Sequence, residues 1–98
     1  MLDIQVPHEP FNSAVRKGTA GSVIRKILQE TSLEAVYFTE REGCRAVTLI
    51  AEVKKASDVP SLSEPWFLNF NADCHFHIVM SPEDLHEAGL EELGKKWG

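Results

Sequence analysis

Apolar residues recur along this chain with two periods, and each change of period marks a new element. Leu2, Ile4 and Val6 alternate with Asp3 and Gln5, which is the period of a half-buried strand. Pro7 and Pro10 end it, since neither can donate to a ladder. From Phe11 to Thr31 the spacing becomes helical. Phe11, Val15, Val23, Ile24, Ile27 and Leu28 share one face, and Arg16, Lys17, Arg25, Lys26 and Glu30 are left for water. The poor helix formers of Lys17–Ser22 loosen this helix or divide it in two.

Two extended runs follow. Ala35–Thr39 is rich in aromatic and β-branched residues, Glu40–Gly43 breaks it with charge, and Gly43 supplies the positive φ of a tight hairpin. Arg45–Val53 is apolar on both faces, as a central or doubly covered strand is. Asp58 and Pro60 open a further helix. Pro65 predicts a kink or break in it, just before the dense apolar cluster Trp66, Phe67, Leu68 and Phe70. A last strand is predicted over Ala72–Met80, with Cys74, Phe76, Ile78 and Met80 on one face and Asp73, His75 and His77 on the other. Ser81-Pro82-Glu83-Asp84 starts a helix by serine cap, early proline and acidic first turn, and Gly89 stops it. Glu91–Trp97 is a short amphipathic tail.

This order predicts an α+β, ferredoxin-like βαββαβ sandwich: a four-stranded antiparallel sheet with helices on one face. Residues 1–98 form a single domain, of which 81–98 are a C-terminal helical extension. The expected core face holds Leu2, Ile4, Val6, Val36, Phe38, Cys74, Phe76, Ile78 and Met80. The other face shows Asp3, Gln5, Tyr37, Thr39, His75 and His77. The central strand is apolar on that side too, which predicts coverage by a second subunit, hence a homodimer.

Composition changes this picture little. Ninety-eight residues, 43% apolar and 26% charged, make one modest core. The net charge of -5 speaks against a nucleic-acid partner. No apolar run approaches the ~18 residues of a membrane span. The acidic N-terminal stretch is no leader, and Cys44 and Cys74 lack metal-cluster spacing. The expectation is a cytoplasmic protein with reduced thiols that needs no cofactor.

Three blocks carry a resemblance: EAVYFTE over 34–40, EPWFLNFNA over 64–72 and MSPEDL over 80–85. Through them the chain resembles small uncharacterised bacterial proteins of the dimeric α+β barrel superfamily. More distantly, its topology is similar to muconolactone isomerases and cofactor-free antibiotic-biosynthesis monooxygenases. The resemblance implies two sheets paired face to face, with a small-molecule site enclosed between them; it carries architecture and no catalytic residues.

The candidate chemistry lies on the predicted polar sheet face. Asp73, His75 and His77 project to one side, and an HxH pair with a carboxylate can reach one metal ion. Asp3 adds an oxygen only if the first strand neighbours the last in register. Solvated or interface-lining polar residues are the plainer reading. Tyr37 shares that face, and a phenol with an imidazole base can transfer a proton. The favoured site for a small apolar or aromatic ligand is therefore Tyr37, His75 and His77 between the sheet and its partner, with Trp66 near the rim. That makes the chain a small-molecule binding protein or a small cofactor-independent enzyme of isomerase or monooxygenase type. The alternative is a non-catalytic homodimeric interaction module. Gly18–Ser22 lacks the lysine and the strand-to-helix context of a phosphate loop. Cys44 lacks a base, and His8 and His86 face solvent.

Overall fold

The computed structural model describes residues 1–98. Its elements are β1 (Leu2–Val6), α1 (His8–Lys17), α2 (Ala20–Glu30), β2 (Ala35–Arg41), β3 (Cys44–Ile50), α3 (Val59–Phe70), β4 (Asp73–Phe76), α4 (Pro82–Glu87) and α5 (Leu90–Trp97). The strands form one antiparallel sheet in the order β2-β3-β1-β4. The protein is thus α+β, with four antiparallel strands and five helices.

The alternation of the first strand sets the core. Leu2, Ile4 and Val6 are buried, and opposite them on β3 stand Leu49, Val47 and Arg45. Phe11 of α1, Ala20 and Ile27 of α2, and Trp66 and Phe70 of α3 close over this face. The rings of Phe11 and Phe70 lie 4.9 Å apart and tilted, a favourable aromatic arrangement. Arg45, at a core-facing position, sets its guanidinium over the Phe11 ring at 4.6 Å and donates to the side-chain Oδ1 of Asn12 across 2.7 Å.

The helical segment after β1 is divided at Gly18, which takes φ +76° and donates its backbone N–H to the last turn of α1. The β2–β3 hairpin turns on Glu42 and Gly43, both at positive φ, the signature of a two-residue type I′ turn. Of the kink or break expected at Pro65, there is no break: α3 continues through the proline. An internal proline costs a helix about 3 kcal/mol. Trp66 and Phe70, both buried just beyond it, offset that cost, since each large apolar side chain is worth about 1.5–3 kcal/mol buried. The helix then closes cleanly: Asn71 adopts the left-handed conformation, its N–H donates to Phe67, and that of Ala72 donates to Trp66.

Two expectations need correction. β3 ends at Ile50, so Ala51 and Val53 lie outside the sheet. β4 ends at Phe76, and Ile78 and Met80 do not join the core; Ile78 is 100% exposed. The ladder with β1 ends with His77, whose N–H donates to the Met1 carbonyl across 2.7 Å, and no strand lies beside Ile78–Met80. Phe38 and Phe76 occupy core-facing positions but remain substantially exposed. From residue 77 the chain leaves the body as an arm. The radius of gyration is 17.1 Å and the longest dimension 59 Å, against about 13 Å expected for a compact chain of this length. Within the arm, α4 begins with a reciprocal cap between Ser81 and Asp84, and Gly89 in the left-handed region separates it from α5. No helix is long and apolar enough to cross a membrane.

Candidate functional site

The sheet face away from the helices carries the candidate site. Strand register places Tyr37 of β2 opposite Thr48 of β3, Thr48 opposite Asp3 of β1, and Asp3 opposite His75 of β4. These four residues form one row across the whole sheet. The first strand does neighbour the last, so the condition for Asp3 to join the histidines is met.

Asp3 is the hub of that face. Thr48 donates its hydroxyl to Oδ1 across 2.9 Å, and the Arg41 guanidinium approaches the same oxygen at 3.5 Å. His77 Nε2 stands 3.5 Å from Oδ2. Only 19% of the Asp3 side chain is exposed, while Arg41 and His77 remain about half open to solvent. Thr48 makes the one hydrogen bond to this carboxylate, while Arg41 and, when protonated, His77 stand at ion-pair distance from it.

The sequence-predicted residues divide. His75 and His77 both flank Asp3, one on its own row and one on the next. Tyr37 is on the same face but at the far end of the row, three strand spacings or about 14 Å from His75. That separation is too great for direct proton transfer between phenol and imidazole; each can meet only opposite ends of one ligand. Asp73 stands one rung along from His75, opposite Gln5. No three His, Cys, Asp or Glu side chains come close enough together to hold a metal ion, so the Asp73–His75–His77 trio is not gathered as a ligand set.

Trp66 is not at the rim. It lies on the opposite side of the sheet, wholly buried among the helices, and its indole N–H meets no acceptor. It backs an apolar groove of about 430 Å³ that opens between the helices and β2, where Phe38, Ile24, Phe11 and Arg45 also line the wall. Arg41 and Thr48 were not among the sequence candidates. Their parity with Tyr37 along the hairpin was the available signal, together with Asp3 as the one charge in an otherwise uncharged strand.

Cys74 faces the helices, and burial, reinforced by the neighbouring Asp73 carboxylate, pushes its thiol up to about 11. It is protonated and unreactive at neutral pH. Compared with known proteins, the chain matches no family model, no curated protein and no solved structure.

Proposed function

We propose that this chain is a ferredoxin-like domain that works as a homodimer with its open sheet faces turned toward each other, binding a small molecule between them. The order β4-β1-β3-β2, all antiparallel, with a helical connection after β1 and another after β3, supports the fold reading. It also agrees with the resemblance to dimeric α+β barrels. A sheet covered on one side only supports the pairing.

The observation that carries the ligand reading is the Asp3 hub. A mostly enclosed carboxylate hydrogen-bonds Thr48 and draws Arg41 and His77 to ion-pair distance on a face that no helix covers. Pre-positioned donors of this kind are what a small-molecule site needs for orientation, with ring surface to bury the apolar body. In this reading Arg41, His75 and His77 meet an acceptor group such as a carbonyl or carboxylate. Tyr37 covers the aromatic or aliphatic remainder. The imidazoles orient the polar end or move a proton at it, without a cofactor.

The second reading is a non-catalytic interaction module. It is favoured by the location of the better-formed cavities, none of which is lined by Tyr37, His75 or His77. Native mass spectrometry of the freshly purified protein separates the two. A dimer carrying extra mass that Asp3→Ala releases supports the ligand site. A bare dimer favours the interaction module, and a bare monomer removes the opposed-sheet arrangement.

A further inference from the structure

Phe38 sits on the helix-facing side of β2, opposite Val47, yet it is 56% exposed while Val47 is buried. The helices close over β1 and β3 but stop short of β2, and the apolar groove beside Phe38 marks the gap. The same chain holds a helical arm with nothing to pack on. Ile78, Met80, Leu85, Leu90, Leu93 and Trp97 are all exposed, Trp97 by 78%. Within α5, Leu90, Leu93 and Trp97 recur at helical spacing on one face, with Glu91, Glu92, Lys95 and Lys96 elsewhere around it. An amphipathic helix of this pattern is built to lie in an apolar groove.

We infer that the arm of one copy, residues 77–98, covers the gap over β2 of a second copy, seating the Leu90–Leu93–Trp97 face of α5 against Phe38. This rests on the homodimer of the proposed function, and not on its ligand. The topology selects a second copy as the occupant. The arm leaves the sheet from β4, at the edge opposite β2, so the chain's own gap lies across the full width of the sheet with the helix layer between. The β2 of a partner is under no such constraint. Charge agrees: Arg45 and Glu40 stand in the groove wall, and α5 presents acids in its first turn and bases in its last. Size agrees as well. A stable interface takes about 20–30 residues a side, which the twenty-two residues of the arm approach, and reciprocal exchange in a two-fold dimer uses the contact twice. The arrangement also covers β2, an edge strand of seven residues whose outer side is otherwise open to unwanted pairing.

The test uses full-length chains. Sedimentation of the parent protein is compared with Leu93→Glu and with Tyr37→Glu, and circular dichroism checks that each remains folded. Separately, Phe38→Cys and Leu93→Cys chains, each with Cys44 and Cys74 replaced by serine, are mixed under mild oxidation. The expected result is a dimer whose dissociation constant rises at least tenfold in Leu93→Glu, and a covalent species of twice the chain mass that forms far more readily on mixing than from either chain alone. A parent dimer that Leu93→Glu leaves unchanged, or a mixture without the cross-link, overturns the arm exchange; loss of the dimer in Tyr37→Glu alone would then leave the opposed sheets standing. A dimer weakened by Leu93→Glu but indifferent to Tyr37→Glu keeps the arm exchange and removes the opposed sheets. A monomeric parent overturns both.

Discussion

Thr48 on β3 gives its hydroxyl proton to Asp3 on β1 across 2.9 Å, joining two neighbouring strands on the face that no helix covers. A hydrogen bond to a charged acceptor contributes about 1.5–3 kcal/mol, more than one between neutral groups. Thr48→Val keeps the β-branched shape and strand preference but removes the donor. It is expected to cost about 1.5–3 kcal/mol in urea unfolding, the range for hydrogen bonds to charged groups. Asp3→Ala removes the acceptor of Thr48 and also the counter-charge beside Arg41 and His77, and its effect is expected to exceed that of Thr48→Val. If Asp3→Ala is as stable as the parent, Asp3 does not organise this face.

The alternation of the first strand and the type I′ hairpin made the sheet legible, because side-chain parity and turn chemistry are local properties. What the sequence could not show was where a ladder runs out of partners. Ile78 and Met80 continue the alternation of β4 faithfully, but no strand lies beside them. Nor could periodicity place Trp66. Its aromatic neighbourhood reads equally well as a ligand wall or a core, and the position of α3 on the sheet decides for the core. His75 and His77 were legible as a pair by parity. The placing of His75 opposite Asp3, and the approach of His77 to its carboxylate, became visible only with the register of β1 against β4.

Trp66 combines complete burial with an indole N–H that has no acceptor. Trp66→Ala removes the ring and leaves a cavity, a change that costs about 3–5 kcal/mol in well-packed cores. Trp66→Phe loses less volume and also removes the unpaired donor, whose burial costs about 1–3 kcal/mol. The phenylalanine variant is therefore expected to lie within about 1.5 kcal/mol of the parent, the usual limit for tolerated core exchanges. Denaturant unfolding followed by far-ultraviolet circular dichroism measures both. Equal destabilisation by the two substitutions would mean that the indole itself, and not the volume it fills, decides the stability at this position.

Glu42 holds φ +54° at the first position of the hairpin turn. For a residue with a Cβ the left-handed region costs roughly 1–2 kcal/mol, and asparagine tolerates it better than glutamate. Glu42→Asn is expected to raise stability by about 0.5–1 kcal/mol without touching any other contact, in line with the spread among turn residues. Thermal unfolding checks it. A lower midpoint in the variant would show that the glutamate carboxylate contributes more than its backbone strain costs.

Cys74 contributes to the loss of stability at alkaline pH. Its thiol is raised to about 11 in the folded protein, first by burial and then by Asp73, from an ordinary value of 9.0. Between these values the unfolded chain loses the thiol proton while the folded chain keeps it. Stability must therefore fall as pH rises from about 9 to about 11, and it is fully present below 9. Cys74→Ala removes the titrating group, so its unfolding free energy is expected to fall less steeply over the same window. The thiol should also react with iodoacetamide more slowly than a free cysteine at pH 9, because the thiolate is the attacking species. Parallel pH profiles for parent and variant, or alkylation at the rate of a free thiol, would place Cys74 in a wetter site than the one beside Ile4.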